Sequence, residues 1–107
     1  MNNLHFSQDQ LVQVAKLSDA DITVIDECRG EQNKLGLGYQ LGFVRLFTQF
    51  PAQVPFEPIE DLVNYMSFQL DIAPGLIEQY KKRQQTIAEH RNHIQVQIHA
   101  LKHFSQY

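Results

Sequence analysis

The chain has 107 residues, a length that suits one domain, and its 43% hydrophobic content supports a packed core without disulfides or a structural metal. Cys28 is the sole cysteine, which excludes an intrachain disulfide and fits a reducing cytoplasm; no secretory leader or bilayer-spanning apolar run is visible. The formal net charge of −3 argues against a uniformly basic nucleic-acid binder.

Helices are the expected elements throughout. Ser7 with Gln10 three residues on has the spacing of a capping box, and Phe6 can staple onto Leu11. Ser18 with Asp21 repeats that grammar, with Leu17 facing Ile22. Two short helices are therefore predicted, over about 8–16 and 19–28, with stripes of Leu11, Val14 and Ala15, then Ile22, Ile25 and Cys28. Gly30 breaks the chain and suits a left-handed cap. Asn33 is placed to cap a third helix over about 34–49, apolar nearly all round and so expected at the centre of a bundle. Its glycines, Gly36, Gly38 and Gly42, each cost about 1 kcal/mol in a helix interior, which argues that neighbouring helices approach closely there.

Pro51, Pro55 and Pro58 mark a loop over about 50–57, with Pro58 at the first helical position. Ile59, Leu62, Val63, Met66 and Leu70 follow at helical spacing. The turn Asp71-Ile72-Ala73 leads through Pro74 into a helix with Leu76, Ile77 and Tyr80. A last helix over about 84–102 has Ile87, Ile94, Ile98 and Leu101 as its seam. The fold class is all-α, a compact bundle of about five or six helices in a single domain, 1–107. The 58–70 helix, its turn and the helix from Pro74 also have helix-turn-helix lengths. The second of these opens on Leu76-Ile77-Glu78, where base-reading residues are expected, so the pair is read first as plain bundle packing, with a helix-turn-helix-like element as the alternative.

No catalytic constellation is legible. His90 and His93, and His99 and His103, are paired on one helix, but the pairs lie several turns apart and Cys28 would have to arrive from elsewhere. No metal and no cofactor is expected. Cys28 reads as a small buried thiol, and the carboxylates are scattered.

Charge is unevenly placed. Residues 1–31 carry Asp9, Asp19, Asp21, Asp26, Glu27 and Glu31 against Lys16 and Arg29. From Gln79 onward, Lys81, Lys82, Arg83, Arg91 and Lys102 face Glu89 alone. The chain is an acidic body with a basic arm, which is either a solvated helix face or an electrostatic footprint for nucleic acid.

The order of motifs adds to this. Leu17-Ser18-x-x-Asp21-x-x-x-Ile25 and Arg29 are followed by Asn33-x-Leu35-Gly36 and Gln40-Leu41-x-Phe43-x-Arg45-Leu46. Then come Phe50-Pro51, Val54-Pro55, Val63-x-Tyr65, Gln69-Leu70-x-Ile72-x-Pro74, Tyr80-x-x-Arg83-x-x-Thr86-x-x-x-His90 and Ile94-Gln95. The series resembles the N-terminal domain of TnpA-type transposases of the Tn-three superfamily, which move by replication through a cointegrate. It departs near the end, where Leu101-Lys102-His103-Phe104 stands in place of a Leu-Gly-aromatic-Arg stretch.

The resemblance implies a fragment of a larger transposase that binds the terminal inverted repeats as double-stranded DNA. The acidic-triad catalytic domain would lie far downstream, and other domains of the same transposase are the implied partners. Lys81, Lys82, Arg83 and Arg91 would then meet phosphates. Asn33, Gln84, Gln85 and Asn92 have the paired donors and acceptors that read bases, and His90 lies among them. Arg29 and Gln40 match family positions and either face DNA or tie helices together. The competing expectation is a helical protein–protein module that assists assembly of a transposition complex.

Overall fold

The computed structural model describes the backbone of residues 5–105 and the side chains of residues 5–98. Among the described residues are six α-helices: α1 Gln8–Ala15, α2 Asp19–Asp26, α3 Glu31–Phe47, α4 Glu60–Leu70, α5 Ile77–Lys81 and α6 Gln84–Ser105. A 3₁₀ turn, Pro74–Leu76, leads into α5. The all-α bundle expected from the sequence is what forms, and among the described residues no helix is long and apolar enough to cross a membrane.

Both capping boxes are present: the Ser7 and Ser18 hydroxyls accept the N–H groups of Gln10 and Asp21, whose side chains accept the capping residues' own N–H groups. Helix starts written in local hydrogen-bond chemistry were therefore readable. Starts fixed by tertiary contacts were not. α3 begins at Glu31 with Gly30 as its cap, φ +85°, so Asn33 is not the cap but sits in the first turn. There its Nδ2 donates to Arg29 O at 2.7 Å. α4 begins at Glu60, so Pro58 precedes the helix instead of opening it. The cause is Ile59, which is fully buried and gives its N–H to the Tyr39 hydroxyl at 2.9 Å, holding the backbone extended for one more residue. Val14 also departs from its expected place: it is 40% exposed, because α1 meets the core only along Leu11 and Ala15.

α3 is the axis. Every residue from Leu35 to Gly42 is buried, so neighbours cover the helix on all sides. A side chain added at Gly42 would meet Met66 and Leu62 of α4 and Ala15 of α1, whereas one at Gly36 would fall inside the Tyr80 ring of α5. These glycines lie six positions apart, which turns them to different faces of the helix. α1 and α4 thus pack on one side of α3, and α5 and α6 on the other. The long 50s loop is pinned by Phe56, buried edge-to-face against Tyr39 and Tyr80 with ring centroids 5.6 and 5.8 Å apart. In the predicted seam of α6, Ile87 and Ile94 are buried and Ile98 half-buried, while the side chain of Leu101 lies outside the described residues.

Candidate nucleic-acid interface

The basic cluster sits at the corner between α5 and α6. Ile77 and Tyr80 are buried and anchor the short helix, and Ile87 anchors the next. The turn between them is closed by Arg83 N–H donating to Tyr80 O at 2.9 Å and Ile87 N–H to Arg83 O at 2.9 Å. Lys82 and Arg83 are left exposed at its tip, at the amino end of α6, where the helix dipole adds partial positive charge. Lys81 is half-buried and paired with Glu78 at 3.2 Å, so its charge is already part-compensated. Gln53, from the 50s loop, braces the corner by donating to Gln84 O at 2.9 Å.

Along α6 the exposed residues Gln85, Glu89, Asn92 and Val96 recur at i, i+4, i+7 and i+11, one outward stripe. Gln85 Nε2 lies 3.3 Å from Glu89 Oε1, a long contact that a better partner would displace. Arg91 stands to one side, its guanidinium 5.0 Å above the Phe50 ring, which fixes its position while leaving its N–H edge free. The structure therefore brings Lys81, Lys82, Arg83, Gln84 and Gln85 to one end of α6, with Asn92 on the same face two turns on. The basic residue Lys102 and the His99–His103 pair have side chains outside the described residues.

His90 does not belong to this face. It is half-buried, stacked on the Tyr80 ring at 5.6 Å, with both ring nitrogens engaged. Gln40, 1% exposed, donates through Nε2 to the Tyr80 hydroxyl oxygen at 2.7 Å and to Ile87 O at 3.1 Å. The phenolic O–H is then left with His90 Nδ1, 2.8 Å away, as its acceptor. That places the ring proton on Nε2, facing Cys28 Sγ at 3.9 Å. Burial, more than any neighbouring charge, holds His90 below the usual histidine range, and burial pushes the Cys28 thiol up. Gln40 is thus a structural residue that ties α3 to α5 and α6. Cys28 does arrive beside one histidine, His90, but Nε2 is occupied as a donor. Among the described residues no group of three or more His, Cys, Asp or Glu is placed to hold a metal ion.

Arg29 and Asn33 lie at the α2–α3 junction. Arg29 is exposed and follows Cys28, which lines a small pocket with His90 and His93. Asn33 is half-buried and folded back onto Arg29 O. One arrangement escaped the sequence reading entirely. Arg45 grips Asp21 with two N–H bonds of 2.8 and 2.9 Å, and that grip, ahead of the bonds from Ser18, holds the Asp21 carboxyl below its ordinary range. Asp21 was legible as a capping residue; its ion pair across 24 positions left no local signal.

Residues 3–106 match the family model described as Domain of unknown function (DUF4158). The chain is similar to the transposase for transposon Tn21 of Escherichia coli, 30% identical over 95 residues that cover 83% of this chain and 9% of the relative. It is similar to the transposase for transposon Tn501 of Pseudomonas aeruginosa, 28% identical over 92 residues, 86% of this chain and 9% of the relative. The transposase for transposon Tn1546 of Enterococcus faecium is 26% identical over 77 residues, 72% of this chain and 8% of the relative. The chain spans less than a tenth of the length of these curated relatives, and the transposase resemblance read from its motifs is borne out by them. No solved structure matches it.

Proposed function

We propose that this chain, which belongs to the DUF4158 family and is an N-terminal domain of the TnpA transposase type, binds the terminal inverted repeats of its transposon. The observation that carries the reading is the α5–α6 corner. Lys82 and Arg83 stand exposed at a helix amino terminus, and Gln85 and Asn92 project from the same helix. Lys82 and Arg83, with Lys81 and Arg91 beside them, neutralise phosphates and set register; Gln85 and Asn92 read base edges. Glu89 lies between the two amides, a carboxylate that repels phosphate but accepts a hydrogen bond from a cytosine amine, so it favours particular bases over general affinity. Strand chemistry is assigned to another part of the parent transposase, whose remaining domains are the partners of this one.

The protein–protein reading is favoured by a separate feature, the acidic first helices, and the two readings are not exclusive. Fluorescence anisotropy on a labelled duplex, repeated across a salt series, tests the DNA reading. Binding of the chain falls steeply with salt, with micromolar or weaker affinity for arbitrary duplex. Changing Lys81, Lys82 and Arg83 together to alanine lowers affinity for all sequences and reduces the salt slope by about two to three, Lys81 counting least because Glu78 already compensates it. Asn92→Ala instead changes the preference for the terminal repeat and leaves the slope near its starting value. A slope unchanged in the triple variant would remove the corner from the interface.

A further inference from the structure

The loop between α3 and α4 carries no Lys or Arg from Thr48 to Ile59, and its one acid is Glu57. Charge alone would give it no part in holding DNA. It is nevertheless fastened to α6. Gln53 Nε2 donates to Gln84 O at 2.9 Å, and the Phe50 ring lies under the Arg91 guanidinium at 5.0 Å. Gln84 and Arg91 are i and i+7 on α6, about two turns apart in one row, so the loop runs alongside that row. Gln85 and Asn92, the residues assigned to base edges, form the next row around the helix, one position on. The loop thus borders the base-reading row on one flank.

Between its fastenings the loop is stiff. Pro51 and Phe56 are buried, Phe56 against both Tyr39 and Tyr80, and Pro51 and Pro55 have their φ angles locked by their rings. Val54, next in the chain to Gln53, is 79% exposed. A lone apolar side chain in water is ordinarily unremarkable. This one is set apart by its position, one residue from the bond to Gln84 and held outward on a loop braced on both sides. A valine so placed has a single stiff torsion to order, so contact with a partner costs it little entropy.

We infer that this loop is a second DNA-reading element of the corner, and that Val54 packs on the C5 methyl group of a thymine in the terminal inverted repeat. The inference rests on the DNA reading of the α5–α6 corner. With α6 presenting amides to base edges, an apolar side chain on its flank meets the edges of neighbouring base pairs in the same groove. There the thymine methyl is the apolar group on offer, set among hydrogen-bond donors and acceptors that valine cannot satisfy. Such a contact adds preference at one base pair and neutralises no phosphate, so it leaves the salt dependence of binding alone.

The test replaces each thymidine of a terminal-repeat duplex in turn by deoxyuridine, which removes only the C5 methyl. Binding of the wild-type chain and of Val54→Ser is then measured by fluorescence anisotropy over a salt series. For wild type, one replacement weakens binding about fourfold, the worth of one buried methyl-sized group. Val54→Ser binds the unmodified duplex more weakly by a similar factor and shows no further loss on that deoxyuridine duplex. Its salt slope and melting temperature equal those of wild type, and Val54→Ile, which keeps the apolar surface, retains the preference for the methyl group. Three results would each overturn the inference while the α5–α6 reading stands. They are a wild type indifferent to every replacement, a Val54→Ser variant that binds the unmodified duplex as wild type does, and a variant that still loses affinity when the methyl is removed. A wild-type chain with no salt-dependent binding to the duplex would instead remove the α5–α6 reading, and this inference with it.

Discussion

Gln40 interrupts an otherwise apolar helix, and its reason lies in another part of the chain. The sequence leaves two uses open for it, and nothing local separates them, because Tyr80 and Ile87, its partners, are 40 and 47 positions away. His90 has the same ambiguity in reverse. Histidines at i, i+3 on a polar helix look alike whether they face solvent or turn inward, and only the placement of Tyr80 and Cys28 decides it. The inward placement has a pH consequence. Burial favours the neutral form of His90 and holds its folded pKa below the ordinary histidine value of 6.5. The unfolded chain therefore takes up the proton first as pH falls, and stability present above pH 6.5 is lost progressively toward the lowered folded pKa. Glu89, its neighbour in the chain, favours the charged form and His93 opposes it, and together with burial they set where that window ends. Chemical denaturation at pH 7.5 and 5.5 checks this, with the wild type losing more stability on acidification than His90→Gln. Equal losses would mean that His90 is solvated and the Tyr80–His90 bond is absent in solution.

At the scale of elements, helix amphipathicity and the capping boxes located the helices, and close approach explains the glycines of α3. The three glycines are not equivalent. A methyl at Gly36 collides with the Tyr80 ring, which is locked between Gln40 and His90, whereas at Gly38 it lies 3.1 Å from the end of Leu70, a flexible and half-buried side chain. Gly36→Ala is expected to cost about 3 kcal/mol by overpacking. Gly38→Ala stays within about 1 kcal/mol of wild type, because the helix propensity of alanine offsets the tight contact. Thermal melts of the two variants rank them, and similar losses in both would contradict the packing described for α5. The carboxyl end of α3 offers the opposite case. Thr48 caps it at φ +55°, a left-handed conformation that a β-branched residue adopts only under strain. Thr48→Gly should raise stability by about 1 kcal/mol, visible as a higher melting temperature. A lower one would show that the Thr48 side chain contributes more than its backbone costs.

Across the whole molecule, the net charge of −3 conceals an uneven distribution. Lys82 and Arg83 stand exposed at the α5–α6 corner, while Lys16, Arg29 and Arg45 are exposed elsewhere. The linear sequence showed an acidic start and a basic end, but not that the end of α2 lies against α6, where Glu27 and Cys28 line a small pocket with His90 and His93. The burial of α3 was predicted by its run of apolar residues and glycines; the seating of Tyr80 at Gly36 was not. Of the residues read as DNA-facing, Lys82, Arg83, Gln85 and Asn92 share one exposed end and face, and His90 is drawn inside. The most direct test uses the transposase that carries this domain, with Lys81, Lys82 and Arg83 changed together to alanine. Its binding to a duplex bearing the terminal inverted repeat is measured over a range of salt concentrations. The account predicts weaker end binding with a shallower salt dependence; end binding equal to wild type at every salt concentration would contradict it.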